Sequence, residues 1–319
     1  MPDQRRKYIF GPVPSRRLGR SLGIDVVPLK TCSYNCIYCQ LGPTPETTIE
    51  RRRSVEPAAV FAELEAVRDS GVALDYATFS GSGEPTLHSD LGALIDGVKA
   101  RVNRPVAVLT NGSLLWDPAV RADLAGADLV CPSLDAPDAG TFNRINRPHP
   151  SIDFDRMVEG LVAFSAEFTG TVWLEVFLVE GINTSPDQIA GLKVLADRIN
   201  PTLVQLNTAV RPTAEPGVEA LSLERIRHLL DAFGPDADLI PAPRLFAEDA
   251  RQEADADAIL ATLARRPCAA DELAASLGMK LAEVQKHLEV LVARGRLTTE
   301  RRGADVFYAV PTDRDSGKN

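Results

Sequence analysis

From about Leu22 to about Leu230 the chain alternates short β-branched or apolar runs with longer amphipathic stretches. That alternation is what βα units joined by right-handed crossovers require, and it leaves few other folds open. Strands are predicted at Leu22–Val27, Tyr76–Phe79, Val106–Leu109, Leu129–Pro132, Val172–Val179 and Leu203–Asn207. Helices are predicted at Pro57–Asp69, Leu91–Val102, Phe154–Phe168, Pro186–Ile199 and Ser222–Phe233, with Pro57 and Pro186 suited to first-turn positions. Six such units fall two short of a closed eightfold barrel, so the expected core is an α/β, partial (β/α)6 TIM-like barrel. It should be open at its side, wide enough to admit something larger than a metabolite. Polar and glycine-rich segments follow each strand run, which places the chemistry at the carboxyl ends of the strands.

A second unit begins near Ala254. Helices are predicted at Asp255–Arg265, Ala270–Leu277 ended by Gly278, and Leu281–Arg294 ended by Gly295, followed by a hairpin from Arg296 to Val310. Three short helices and a two-stranded wing make a small α+β winged-helix module. The expected organisation is a barrel core with a basic amino-terminal segment over 1–233, a Pro- and Asp-rich linker or barrel-capping segment over 234–253, a winged helix-turn-helix domain over 254–311, and a disordered tail over 312–319. A DNA reader presents Arg, Lys, Asn or Gln on its third helix. This one offers Lys280, Gln285 and Lys286, but also Glu283 and Glu289. Basic and acidic residues balance over 255–310, a weak electrostatic case for DNA, although Arg301 and Arg302 sit at the wing tip. Docking onto a protein partner or onto the barrel is the rival reading.

At 319 residues, with 45% hydrophobic and 25% charged, the chain is large enough for one large domain and one small one. No long apolar run suggests a membrane span, and the charged start Met1 to Phe10 does not read as a secretory signal, so a cytoplasmic location is expected. The net charge of −9 is uneven: residues 1–53 carry ten Lys/Arg, including Arg16, Arg17, Arg20, Arg51, Arg52 and Arg53, against Asp3, Asp25, Glu46 and Glu50. Those arginines flank the cysteine loop and would suit a phosphate-bearing substrate such as RNA; solvated faces or internal ion pairs are the plainer alternative. Pro12 and Pro14 imply an extended, rigid segment ahead of Arg16.

The five cysteines, Cys32, Cys36, Cys39, Cys131 and Cys268, are odd in number, with three packed together, a poor disulfide framework. Gaps of three and two residues separate Cys32, Cys36 and Cys39, and thiolate is the soft ligand that iron–sulfur clusters select. Three protein ligands leave a fourth iron open to chelation. Zinc would need a fourth ligand, and neither Cys131, which reads as a small core residue, nor Cys268 has a paired spacing.

The cysteine motif, with Tyr38 just before its last member, resembles the signature of the radical S-adenosylmethionine superfamily. Ser80-Gly81-Ser82-Gly83-Glu84-Pro85 resembles that superfamily's glycine-rich turn, with Ser-Gly-Glu-Pro in place of Gly-Gly-Glu-Pro. The resemblance implies one 4Fe-4S cluster on Cys32, Cys36 and Cys39. It also implies S-adenosylmethionine held near Tyr38, Gly83, Glu84 and Pro85, with Asn111, Ser133, Asp135 and Asn207 as further contacts, and a reductant such as flavodoxin or ferredoxin. The implied reaction is reductive cleavage to methionine and a 5′-deoxyadenosyl radical. Phe10 to Asp25, Phe79 to Thr86, Asn183, Gln205 to Thr208 and Arg211-Pro212 resemble the branch that includes the tRNA wyosine synthases. Those enzymes carry a second cluster on upstream cysteines, and no cysteine precedes Cys32 here. Three functions follow as expectations: modification of an RNA base, radical modification or activation of a protein docked by the winged helix, and a cluster-sensing winged-helix transcriptional regulator. Lys30 is a Schiff-base candidate beside its plainer reading as a solvated side chain.

Overall fold

The computed structural model describes residues 6–209, 213–218, 220–240, 250–263, 267–302 and 305–311. The chain opens with two antiparallel strands, β1 (Ile9–Ser15) and β2 (Gly19–Ile24). From β2 onward it runs through α1 (Pro57–Asp69), β3 (Tyr76–Phe79), α2 (Leu91–Lys99), β4 (Val106–Thr110), α3 (Pro118–Leu124) and β5 (Leu129–Pro132). Two helices, α4 (Ala139–Ile145) and α5 (Phe154–Glu167), then lead to β6 (Thr171–Phe177), α6 (Pro186–Ile199), β7 (Leu203–Asn207), α7 (Leu223–Leu230) and β8 (Ala237–Leu239). The eight strands form one sheet in sequence order, and every pair from β2 to β8 is parallel.

The six expected βα crossovers are present, and the partial barrel is confirmed. Two strands were not expected. β1 carries Pro12 and Pro14, and it survives as a strand because it lies at the sheet edge, with a register shift between Phe10 and Val13. β8 falls in the segment read as linker or barrel cap, and for Ala237–Leu239 the capping alternative holds. The first parallel strand ends at Ile24 rather than Val27, because the chain turns away there into the cysteine loop. Helices α3 and α4 were too short to stand out by periodicity.

The crossover helices bury one face each, as Val60, Leu64 and Val67 do in α1. Their starts are held by Asp117, Asp138, Asp153 and Ser185, whose side chains accept from first-turn amides. The carboxyl-terminal unit comprises α8 (Ala250–Leu263), β9 (Cys268–Ala269), α9 (Ala270–Leu277), α10 (Leu281–Ala293), β10 (Thr298–Arg302) and β11 (Asp305–Ala309). Its three strands, ordered β10-β11-β9, and its own core of Ile259, Leu273, Val284, Leu288 and Tyr308 complete a winged helix. The tail 312–319, Arg211-Pro212 and most of the 234–253 segment lie outside the described residues.

The winged helix sits against the barrel. Ala282 of α10 packs on Phe10 and Val13 of β1, so the edge strand expected to border an open side is walled by α10. Among the described residues no helix is long and apolar enough to cross a membrane.

Candidate active site

One cavity of about 340 Å³ gathers the loops at the carboxyl ends of the strands. The cysteine loop leaves β2, the Ser80–Pro85 turn leaves β3, Asn111 follows β4, Ser133 follows β5 and Asn207 ends β7. Cys32, Cys36 and Cys39 all line it. Their loop has almost no regular structure and is held by outside partners: Asn35 N–H donates to the Asn146 carbonyl at 3.0 Å, Ile37 N–H to Ile145 at 2.9 Å, and Thr44 N–H to the Asn35 side chain at 2.7 Å.

The cysteine sulfurs do not converge as they would on a single ion. Among the described residues, Asp255, Glu283 and His287 are the metal-type trio whose donor atoms all lie within 4.8 Å of one another. Thiolates sharing one tetrahedral zinc, with Zn–S near 2.3 Å, stand about 3.8 Å apart. A cluster that offers each thiolate its own iron suits the wider spread.

Each thiol has a donor facing it: Asn111 Nδ2 lies 3.6 Å from Cys32 Sγ, Asn146 Nδ2 3.5 Å from Cys36 Sγ, and Lys30 Nζ 3.2 Å from Cys39 Sγ. Burial pushes Cys32 up to about 12, with the nearby Glu84 carboxylate adding to the shift, and burial drives Cys36 well up. Such thiols ionise only against a strong cation, which ligated iron provides. The donor set therefore fits a cluster.

The Ser80–Pro85 turn meets the cysteine loop without space to spare. A Cβ on Gly83 would stand 2.0 Å from the Thr31 carbonyl oxygen, so glycine is required there. Glu84 was expected to hold the cofactor's methionine end. Its carboxylate instead accepts from Thr86 N–H at 3.0 Å, the Thr86 hydroxyl at 2.7 Å, the Thr110 hydroxyl at 2.6 Å and Asn111 N–H at 2.7 Å. Those four bonds fill a carboxylate's acceptor positions, so Glu84 ties the β3 turn to the β4 loop. Pro85 is buried at the start of a 3-10 turn and does not line the cavity.

Tyr38 lines the cavity, stacked on Phe177 with centroids 3.8 Å apart. Its hydroxyl donates to Asp135, which also accepts from Asn146 Nδ2 at 2.7 Å and Phe177 N–H at 2.9 Å. Asp135 is buried away from the cavity, so its contact with the site runs through Tyr38 and Asn146 rather than through direct cofactor binding. Asn111, Ser133 and Asn207 do line the cavity.

The arginines do not form one basic surface. Arg17 is buried in an ion pair with Glu175 and donates to Gln205 at 3.1 Å; Arg16 donates to Asn207 Oδ1 at 3.1 Å and pairs with Glu289 at 3.4 Å. Arg20 pairs with Asp75 at 3.0 Å beside the amino ends of β2 and β3, the end opposite the cysteines. Arg51 is tied to Asp123, Arg52 to Glu50, and Arg53 to Asp90 at 2.5 Å. The internal-ion-pair reading replaces the RNA-contact reading for this set.

Glu175 was not singled out from sequence, although a lone carboxylate within the apolar run Val172–Val179 was the available signal. Asn207 Nδ2 donates to Glu175 at 3.0 Å, and the Arg17 cation holds that carboxyl low against the opposing effect of burial. Lys30 is half-buried at φ 63° and bonded to Cys39 and to the Gly42 carbonyl, so it is neither a solvated side chain nor a free amine. Cys131 is a buried core thiol whose side also borders the cavity.

The chain matches the family model "Radical SAM superfamily" over residues 26–191 and the model "DprA winged helix domain" over residues 241–298. It is 40% identical over 309 residues to a protein of Brachyspira hyodysenteriae named GTPase Obg, covering 96% of this chain but only 45% of that protein. It is 33% identical over 316 residues to a UPF0026 protein of Helicobacter pylori, covering 97% of this chain and 99% of that one. Among solved structures, a radical SAM methyltransferase from Sphaerobacter thermophilus superposes with a TM-score of 0.49 at 18% identity, covering 69% of this chain and 66% of that one. The matched segment begins at the cysteine loop and ends within α6, and with the full-length relative it establishes that the chain belongs to the radical SAM superfamily, enzymes that use a 4Fe-4S cluster and S-adenosylmethionine.

Proposed function

We propose that this enzyme directs hydrogen abstraction at a compact, polar substrate held inside the barrel. When bound on Cys32, Cys36 and Cys39, the cluster with S-adenosylmethionine supplies a 5′-deoxyadenosyl radical, at the cost of one electron from a reductant of the flavodoxin or ferredoxin class. The chain's own residues do the rest. Tyr38, clamped between Phe177 and Asp135, offers a flat ring to the cofactor, and the Gly83 turn holds its backbone against the cysteine loop.

The observation that carries the substrate reading is the Arg16–Asn207–Glu175–Arg17 network lining the same cavity as the cysteines. A low-dielectric cavity that keeps a charged network suits a polar or ionic ligand, whose groups can replace water around it. The RNA-base reading draws less support, because the arginines meant to hold phosphate are paired within the chain and α10 lies along the barrel's edge strand.

Anaerobic reconstitution with iron and sulfide, then dithionite and S-adenosylmethionine, with 5′-deoxyadenosine quantified, tests both levels. Formation by the parent and not by Cys36→Ala is the expected result. Turnover is expected to rise with a small-molecule extract and not with purified tRNA. Stimulation by tRNA alone would return the RNA-base reading.

A further inference from the structure

The third helix of a winged helix ordinarily presents its polar face to a DNA groove. Here the residues suited to that task face the catalytic domain. Lys280, just before α10, sets Nζ 2.7 Å from Asp25 Oδ2. Gln285 is buried and donates from Nε2 to the carbonyl of Gln40, the residue after Cys39. Lys286 lines the cavity itself. Glu283 of the same helix accepts from Gly11 N–H of β1 at 3.2 Å.

Asp25 is the centre of this contact. Its side chain is 2% exposed, and it accepts from Ser82 N–H at 3.2 Å and from the Ser82 hydroxyl at 2.6 Å. A Cβ on Gly81 would stand 2.7 Å from its carboxyl carbon. Asp25 thus cradles the glycine-rich turn, and Lys280 is the cation that compensates a carboxylate withdrawn from water. The chain of contacts runs from α10 through Lys280 and Asp25 to Ser82, and in parallel through Gln285 to the residue beside Cys39.

We propose that the winged helix is a structural wall of the active site rather than a DNA reader, and that Lys280 is a positioning residue that sets the cofactor-binding turn through Asp25. The inference rests on the assignment of S-adenosylmethionine to this cavity. Docking and cofactor binding are then coupled, and by linkage each strengthens the other.

The test uses the full, cluster-reconstituted chain and S-adenosylmethionine as the probe. Lys280→Ala is expected to raise the dissociation constant for S-adenosylmethionine about tenfold, within the ordinary range of coupling between sites. Iron and sulfide content should stay at the parent's level, and Lys280→Arg should restore affinity. Hydrogen exchange on the parent should show residues 280–290 becoming more protected when S-adenosylmethionine binds. Should Lys280→Ala fail to fold, Gln285→Ala is expected to act in the same direction, and the exchange measurement needs no variant. Affinity within twofold of the parent in the folded variants, or exchange in 280–290 indifferent to S-adenosylmethionine, overturns the proposal. A parent chain that loads its cluster yet binds no S-adenosylmethionine overturns the cofactor assignment first and the coupling with it.

Discussion

Replacing Asp135 by Asn probes the scaffold that holds Tyr38. Burial outweighs the hydrogen bonds to Tyr38, Asn146 and Phe177 and raises the Asp135 carboxyl from 3.8 to about 6. Because the folded value lies above the unfolded one, the group adds stability at low pH, and that stability is lost as the pH rises through about 6. Two pH units at 1.36 kcal/mol each make about 3 kcal/mol in all, of which about 1.4 kcal/mol falls between pH 5 and pH 7.5. The thiols of Cys32 and Cys36 are raised far above this window in the chain without iron, and His88, whose burial lowers it, is common to both chains. Asn is nearly isosteric, does not ionise, and can keep the bond from Phe177 N–H while the Tyr38 hydroxyl turns to accept. Urea unfolding of the cluster-free parent should therefore lose about 1.4 kcal/mol more stability between pH 5 and pH 7.5 than Asp135→Asn does. Equal pH slopes in the two chains would refute the assignment of this titration to Asp135.

Arg17→Met strands the Glu175 carboxylate in the barrel interior and is expected to cost about 3–5 kcal/mol, whereas pairing it with Glu175→Leu should recover most of the loss; urea midpoints of the single and double variants check both. Lys30→Met removes the N–H donor 3.2 Å from Cys39 Sγ. A charge-assisted bond of about 1 kcal/mol corresponds to about 40 mV for one electron, so the cluster's potential should fall by roughly that amount in a redox titration followed by electron paramagnetic resonance. A potential unchanged or raised would show that Lys30 does not donate to the ligated sulfur.

Much of the site was legible because its chemistry is local in the chain. The spacing of Cys32, Cys36 and Cys39, the aromatic Tyr38 and the glycines of the Ser80–Pro85 turn all act within a few residues of one another. The βα alternation likewise depends only on periodicity, and the six crossovers were found where it placed them. Edge strands obey weaker rules: β1 carries two prolines, and β8 has three residues, so neither produced a periodic signal.

What a charged residue does depends on what the chain brings to it from far away. Asp135 and Glu84 read from sequence as cofactor contacts, and folding turned both inward to hold other residues. Arg17 was legible as a cation near the cysteine loop; that its partner is Glu175 on β6 follows only from the closing of the sheet. Lys280, Gln285 and Lys286 were correctly placed on and beside the third helix, but amphipathic pattern does not say which surface a polar face will meet. Local spacing determined the cluster loop, the cofactor turn and the barrel repeat. The tertiary structure decided which charges are paired and which helix walls the cavity, because pairing energy depends on distance in space and not on distance along the chain.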